Sequence, residues 1–218
     1  MKKKMLWSII LGEIVLLLVG VGVIAIYVDT ETTGSNTFTA STLNLQVGSA
    51  DPCAETITTP GLTPGATGNA ATWLVSNIGA ISGDLSVAVS AITNNENGCS
   101  EVESNAGDAT SGAAQGELGG VLTMAMWMDK DSSGTWNAGD FYLNNDGTTI
   151  AYASPGLPAA AYHTVNTYGG VSYTNIVTNA GAGDIGTFRV EYNLPGSADS
   201  TIQSDSSVFV LTFTFSQH

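Results

Sequence analysis

A run of twelve residues near the middle of the chain has the spacing of a calcium-binding loop. Oxygen donors occupy its positions 1, 3, 5, 9 and 12, and glycine occupies position 6, in the sequence DKDSSGTWNAGD of residues 129–140. Calcium takes about six to eight hard oxygen ligands around a tight turn, and a backbone carbonyl commonly supplies position 7. The predicted ligands are Asp129, Asp131, Ser133, Thr135, Asn137 and Asp140.

Two features set this run apart from a helix-loop-helix calcium site. Position 12 is Asp140 instead of glutamate, which shortens the reach of a bidentate ligand, and the flanking sequence is typical of strands. The alternative is a β-turn rich in Asp, Ser and Gly that binds no ion.

A second acidic region precedes this loop. Residues 94–120 are polar and lie between two predicted strands, so we interpret them as a long decorated loop. Their acidic side chains are Glu96, Glu101, Glu103, Asp108 and Glu117. They could form a second cation site, although such a run of acids is more commonly a solvated surface.

Catalytic motifs are missing from the sequence. There is no H-E-x-x-H pair, and the only histidines, His163 and His218, have no partner at the helical spacing of metal ligands. No G-x-S-x-G nucleophile motif is present. The sequence therefore predicts a protein that is not an enzyme. Four tryptophans and seven tyrosines could line a sugar-binding face, but a role in the core is the simpler interpretation.

The N-terminus has the features of an export signal. Three lysines at residues 2–4 precede an apolar run over residues 5–26, and Val23-Ile24-Ala25 offers a small-residue cleavage site. We expect residues 1–25 to be a cleaved signal peptide. The alternative is an uncleaved membrane anchor, because the run is long enough to span a bilayer.

The charge balance argues against nucleic acid as a partner. The chain carries a net charge of −14. Beyond residue 25 only Lys130 and Arg189 are basic, against eighteen acidic residues. Such a chain repels phosphate backbones and anionic lipid and attracts divalent cations.

The sequence also contains two cysteines, which are candidates for a disulfide. Because an even number of cysteines in an exported chain favours pairing, the sequence predicts a disulfide between Cys53 and Cys99. The alternative is two free thiols.

Alternation of apolar and polar residues dominates the rest of the chain. Period-two runs surround Trp73, Leu85, Met126, Val190 and Phe213, and turn dipeptides such as Pro-Gly and Asn-Gly separate them. Helical periodicity is restricted to residues 158–168. The pattern predicts an all-β, jelly-roll-like two-sheet β-sandwich that forms one domain over residues 37–218.

Both ends of this domain resemble the TasA/camelysin family. The opening YVDTETTGSNTFTASTLNL of residues 27–45 is similar to that family's opening, except that Ala40-Ser41 replaces the usual Ala-Gly. The close over residues 194–217, with Leu194-Pro195, Gln203-Ser204-Asp205 and alternating phenylalanines, is also similar. The middle of the chain resembles prokaryotic, often archaeal, relatives less specifically.

The resemblance implies a secreted jelly-roll subunit of biofilm matrix fibres, or of archaeal surface filaments and bundling pili. It implies removal of the signal by a signal peptidase and head-to-tail assembly by donor-strand complementation. A runner-up interpretation is a secreted metal-dependent peptidase of camelysin type, and a third is a monomeric carbohydrate-binding module.

The residues that follow the cleavage site are the predicted donor. Ile26, Tyr27, Val28, Asp29, Thr30 and Glu31 form an apolar, β-prone segment, and Gly34-Ser35-Asn36 joins it flexibly to the domain. An apolar tail on a joint either folds back onto its own sheet or pairs with an exposed strand edge of a neighbouring copy. We expect the second arrangement, in an extracellular homopolymer stabilised by structural Ca²⁺.

Overall fold

The structure is a computed structural model that describes residues 41–53, 57 and 61–217. The predicted signal peptide, the donor strand and joint of residues 26–36 and the first residues of the predicted domain, 37–40, therefore lie outside the described residues. Within the described part of the chain, no helix is long and apolar enough to cross a membrane.

Twelve strands account for most of the regular structure in the described residues. They are β1 (Leu45–Val47), β2 (Thr67–Asn77), β3 (Gly83–Val89), β4 (Thr93–Asn95), β5 (Thr123–Asp129), β6 (Phe141–Leu143), β7 (Thr149–Ala151), β8 (His163–Thr164), β9 (Ser172–Ala180), β10 (Gly183–Asn193), β11 (Ser206–Val208) and β12 (Leu211–Gln217). The α-helices are α1 (Glu101–Ala106) and α2 (Leu118–Val121), and 3₁₀ turns cover Ala159–Ala161, Val165–Tyr168 and Ser200–Ile202.

The strands form three sheets in which every pairing is antiparallel. The largest has the order β1-β2-β10-β5-β6-β7, with β8 also paired to β5. A second sheet has the order β12-β3-β9, and β11 pairs with β4 in a short ribbon. The predicted all-β class is confirmed, because period-two alternation is the signature of half-buried strands.

One hydrophobic core joins the faces of the two larger sheets. Phe188 and Trp73 from the largest sheet stack with ring centroids 6.4 Å apart, and both contact Phe213 of β12 edge-on. Leu85 and Val87 of β3 are fully buried in the same core. The alternating residues therefore face inward from both sheets, as a sandwich requires.

The opposite face of β5 is also covered. Trp127 contacts Trp136 edge to face at 5.7 Å, in a smaller cluster that includes Tyr142 and Ala161. The segment after β5 folds back over this face, so β5 is buried on both sides.

Two local predictions needed correction. Residues 94–120 contain α1 and most of α2, not only loop, and residues 158–168, the one segment with helical periodicity, form two 3₁₀ turns around β8. β9 escaped prediction because Asn175 and Asn179 adopt positive φ, at 53° and 51°. The register of β9 against β3 is shifted there, and such bulges break the alternation that identifies a strand.

Candidate cation sites and an apolar groove

The predicted calcium loop, residues 129–140, connects β5 to β6 and is organised around Asp129. The Asp129 Oδ1 accepts a hydrogen bond from the backbone N–H of Ser133 at 3.1 Å, and its Oδ2 accepts one from that of Gly134 at 2.8 Å. Gly134 has φ of +81°, a backbone conformation that glycine adopts without a steric penalty. Asp129 therefore closes this turn from within.

Arg189 of β10 supplies a positive charge to the same carboxylate. Its Nε donates to the Asp129 Oδ2 at 2.9 Å, and its guanidinium lies 5.4 Å from the centroid of the Trp127 ring. The Asp129 side chain is fully buried and that of Arg189 is 14% exposed. The charge of Asp129 is thus balanced by a protein cation.

The other predicted ligands are also engaged within the loop. Asp140 accepts from the backbone N–H groups of Lys130 and Asn137 at 2.9 and 2.7 Å. The Asn137 amide donates to Asp131 Oδ2 at 3.0 Å and to Ser133 Oγ at 2.8 Å. The pKa of the Asp131 carboxyl is lowered, above all by its hydrogen bonds with Ser133.

The loop still has the proximity that its spacing predicted. One carboxylate oxygen from each of Asp129, Asp131 and Asp140 lies within 4.8 Å of the others. The Thr135 carbonyl accepts from the Ser133 hydroxyl at 3.2 Å. The predicted ligand set is therefore assembled, but its oxygens already accept hydrogen bonds from the loop itself.

A second group of carboxylates forms where β4, α1, α2 and β11 meet. We call it the acidic cluster, and its members are Glu96, Glu103, Asp108, Glu117 and Asp205. Oxygens of Glu96, Glu103 and Asp205 lie within 4.8 Å of one another, and so do oxygens of Glu96, Asp108 and Glu117. Glu96 belongs to both triads and is the centre of the cluster.

The acidic cluster is deeply buried and incompletely hydrogen-bonded. Glu103, Glu96 and Asp108 are 0%, 4% and 8% exposed. Four of the buried carboxylate oxygens accept no hydrogen bond: Glu96 Oε2, Asp108 Oδ2, Glu117 Oε2 and Asp205 Oδ1. Buried polar atoms nearly always have a partner, so four orphans in one place require an explanation.

Backbone contacts hold the cluster in place. Ser100 caps α1 by accepting from the Glu103 N–H at 3.3 Å, while the Ser100 N–H donates to Glu103 Oε2. The Asp205 Oδ2 accepts from the backbone N–H groups of Glu117 and Leu118 at 2.6 and 2.9 Å. These contacts position Glu103 Oε2 and Asp205 Oδ2, and they leave Asp205 Oδ1 without a hydrogen-bond donor.

A single hydroxyl faces several acceptors of the cluster. The Ser204 Oγ lies 2.7 Å from the Gly98 carbonyl oxygen, 3.2 Å from Glu96 Oε1 and 3.3 Å from both Glu103 oxygens. A hydroxyl carries one proton, so it satisfies only one of these acceptors at a time. The hydroxyl of Ser204 therefore leaves several neighbouring acceptor oxygens unsatisfied.

The electrostatics of the cluster reflect this crowding. Burial, followed by contact with Asp205 and repulsion from Glu103, raises the pKa of Glu96 to about 7. Burial also raises the pKa of Glu117, with repulsion from Asp108 and Asp205 next. The pKa of Asp108 is lowered because the Thr110 backbone and hydroxyl donate to its Oδ1. Among the described residues the one ion pair is Asp129–Arg189, so no basic side chain neutralises the cluster.

The sequence identified only part of this cluster. Glu101 was grouped with the other acids of residues 94–120, but it is exposed on α1 and takes no part. Asp205 lies far along the chain, and no local pattern pointed to it. A capping signature, Ser100 followed three residues later by Glu103, was the available indication of α1.

The predicted disulfide is corrected by the structure, in which both cysteines are free. The Cys99 thiol is directed to the carbonyl oxygens of Asp108 and Ser100, at 3.5 and 3.6 Å, while Cys53 is exposed. Burial and the carboxylates of Asp108 and Glu103 raise the pKa of the Cys99 thiol.

An apolar groove of about 740 Å³ opens beside the acidic cluster. Its floor comes from the largest sheet, with Trp73, Met124 and Val190, and one wall is the segment of residues 202–211. Val208 and Val210 on that wall are 53% and 60% exposed. Large apolar side chains left open in this way are typical of a binding surface.

The groove reaches Leu211, the first residue of the edge strand β12. Within the described residues, β12 is the outer strand of its sheet and pairs only with β3. Its inward side chains Leu211, Phe213 and Phe215 are only half-buried, whereas the residues that alternate with them are exposed. An edge strand with an incompletely covered apolar face can accept a further strand.

Two kinds of chemistry are therefore available: carboxylates that can bind a hard cation, and an apolar groove that can bind an extended peptide. His163 contributes to neither, because its half-buried ring packs edge-on against Tyr168 at 5.8 Å and no triad of potential metal ligands in the described chain includes it. Comparison with protein families, curated proteins and solved structures found no match for this chain.

Proposed function

We propose that the chain is an exported structural subunit of an extracellular fibre or pilus, which polymerises by donor-strand complementation. The observation that carries this proposal is the unpaired edge of β12, whose first residue, Leu211, lines the apolar groove. An extended peptide added there pairs its backbone with β12 and covers the apolar side chains that the sandwich leaves open.

The donor in this proposal is the segment Ile26 to Glu31 of a neighbouring copy. Six extended residues span about 20 Å, close to the about 23 Å of the seven-residue β12. Ile26 and Val28 point to one side of such a strand and fit an apolar groove, while Asp29 and Glu31 remain near solvent. Length and polarity are therefore compatible with pairing along this edge.

The geometry of such a contact favours a filament. The donor segment and the acceptor groove are different surfaces, so each contact is head-to-tail and leaves a free groove and a free donor at the two ends. Cleavage by signal peptidase after Ala25 would free the donor only once the chain is exported. A jelly-roll topology for the sandwich and a biofilm-matrix or cell-surface location belong to the same proposal.

A structural calcium ion in the loop of residues 129–140 is a separate part of the proposal. It is supported by the three carboxylates gathered within 4.8 Å and opposed by the Arg189 guanidinium on Asp129. The proposal assigns the chain no catalysis. Chelator-sensitive hydrolysis of casein by the purified chain would contradict it and favour the peptidase alternative.

Removing the donor tests the assembly directly. A chain that starts at Gly34 should fold and stay monomeric, whereas one that starts at Ile26 should form filaments in electron micrographs. Adding a synthetic peptide of residues 26–33 to the shorter chain should occupy the groove and raise its melting temperature. Filaments of unchanged repeat from the shorter chain would overturn the proposal.

The acceptor side offers a matched pair of variants. Val210→Asp places a charge in the groove wall, and Ile78→Asp places one on an equally exposed apolar residue outside the groove. Only Val210→Asp should abolish filaments, because burying an unpaired carboxylate under a donor strand is unfavourable. If both variants polymerise like the unmodified chain, the donor strand lies elsewhere.

A further inference from the structure

We propose that the acidic cluster binds a divalent cation of the calcium class, held by Glu96 Oε2, Asp108 Oδ2 and Glu117 Oε2, with Asp205 Oδ1 as a neighbouring ligand. This site is distinct from the loop of residues 129–140 and does not depend on the proposed fibre function.

The first argument is the burial of unpartnered ligand atoms. Glu96 and Asp108 are only 4% and 8% exposed, each has one oxygen without a hydrogen-bond partner, and both belong to the same triad of carboxylates. An isolated buried carboxylate is costly unless it is paired, hydrogen-bonded or bound to a metal. Among the described residues, no basic side chain and no hydrogen-bond donor accounts for these oxygens.

The second argument is the spacing of the ligands. One oxygen each of Glu96, Asp108 and Glu117 lies within 4.8 Å of the other two. Calcium binds oxygens at about 2.3–2.6 Å, so two of its ligands are at most about 5 Å apart. The triad has the dimensions of a coordination shell without further movement.

The ligand type selects a hard cation. All candidate ligands are carboxylate oxygens, which suit calcium or magnesium more than zinc. The nearby Cys99 thiol donates to backbone carbonyls, and no triad of potential ligands in the described residues includes it. Calcium tolerates irregular arrangements of several carboxylates, whereas magnesium demands an octahedron and retains water, so calcium fits this crowded site better.

A shared proton is the competing explanation. A proton between Glu96 and Asp205 would relieve one contact, but Asp108 and Glu117 would keep their unpartnered oxygens. Five carboxylates meet here and no basic side chain of the described chain contacts them. A divalent cation neutralises several of them at once, which one proton does not.

Close packing shows that the backbone is fitted to this arrangement. A Cβ added to Gly116 would lie 2.8 Å from the Asn95 carbonyl oxygen and 2.9 Å from Asp205 Oδ1. Only glycine at position 116 allows the backbone to approach Asn95 and Asp205 this closely. A bound cation would therefore tie β4, the α1–α2 segment and the residues before β11, which also form a groove wall, into one unit.

Calcium titration of the full chain after chelator treatment tests the site. Isothermal calorimetry should give a dissociation constant between about 10⁻⁷ and 10⁻³ M, the range that covers sensor and extracellular calcium sites. Glu96→Gln and Asp108→Asn should each weaken binding at least about tenfold, since each removes a charged ligand. Glu101→Gln, an exposed acid on the same segment, is the matched control and should bind as the unmodified chain does.

Melting temperatures, measured with calcium and with chelator, distinguish a loss of calcium binding from a change in the fold of a variant. In chelator, Glu96→Gln should melt at or above the temperature of the unmodified chain, because it removes repulsion, whereas in calcium the order should reverse. The proposal is overturned if calcium neither releases heat nor shifts melting, or if zinc binds more tightly than calcium. It is also overturned if Asp131→Asn, in the other loop, abolishes binding that Glu96→Gln leaves intact.

Discussion

The two acidic regions of this chain differ in how their negative charge is balanced. In the loop of residues 129–140, backbone N–H groups and Arg189 satisfy the carboxylates, and the turn is closed by the protein's own donors. In the acidic cluster, four buried carboxylate oxygens have no donor. The loop of residues 129–140 thus has the more recognisable calcium spacing, but its carboxylates depend less on a bound ion than those of the acidic cluster.

The spacing of carboxylates along the chain and the number of hydrogen-bond donors that reach them are therefore separate properties. The spacing of oxygens along a loop determines which of them can lie close together. Such oxygens can then bind either a cation or a set of backbone N–H donors. Whether those oxygens need a cation depends on which hydrogen-bond donors the rest of the fold brings to them. Four changes, with effects of decreasing size, test this difference between the loop of residues 129–140 and the acidic cluster.

The largest effect is expected from Asp129→Ala. It removes the acceptor of two backbone N–H groups and leaves the Arg189 guanidinium, 14% exposed, without its partner. Breaking a buried pair on one side costs about 3–5 kcal/mol of unfolding free energy. Urea unfolding should show this loss equally with calcium and with chelator. A loss seen only in calcium would mean that the loop is an ion site after all.

The second effect is the calcium dependence of the cluster. Calcium at one hundred times its dissociation constant should raise the free energy of unfolding by about 2.7 kcal/mol and the melting temperature by about 5–10 °C. Asp205→Asn should reduce this shift. Asp199→Asn, a nearby acid that caps a 3₁₀ turn, should retain it, because asparagine caps as well as aspartate. Equal shifts in both variants would remove Asp205 from the site.

The third effect concerns the cap that positions Glu103. Ser100→Ala removes the acceptor of the Glu103 N–H and should cost about 1 kcal/mol. Ser104→Ala, the same substitution at an exposed position of α1, should be close to neutral. Denaturation of both variants measures the difference. If they are equally stable, the cap does not contribute to holding the cluster.

The smallest effect is a difference in thiol reactivity. Alkylation followed by intact mass measurement should find two modifiable cysteines, with Cys53 reacting first. Cys53 is exposed, whereas Cys99 is partly covered and its pKa is raised by burial and by Asp108 and Glu103, so less thiolate is present. A species two mass units lighter that resists alkylation until it is reduced would restore the disulfide.

Sequence reasoning recovered the long strands well and the short elements poorly. β2, β3, β5, β10 and β12 are present where alternation predicted them, whereas the nine-residue β9 was missed because bulges interrupt its alternation. The short strands β4, β6, β7 and β11 hold only three residues each, too few for a period to be recognised. The loop of residues 129–140 was also found, because all its candidate ligands are local.

The acidic cluster was recovered only in part because its members are not local. Four of them lie within residues 94–120, where the sequence suggested a possible cation site, but Glu101 was included wrongly. Asp205 was missed because it is brought to Glu96 by the pairing of β11 with β4, in which Ser206 lies opposite Asn95. No feature of the sequence around Asp205 predicts that pairing.

By itself the sequence determined the all-β class, the main strands, the acidic character and the loop in which Asp129, Asp131 and Asp140 converge. These follow from side-chain alternation and turn chemistry, which act over a few residues. Only the tertiary structure shows that Arg189 forms an ion pair with Asp129, that the two cysteines are separate free thiols and that five carboxylates lie together in one buried cluster. Those outcomes depend on contacts between segments about 60 to 110 residues apart, which strand pairing creates and local patterns do not encode.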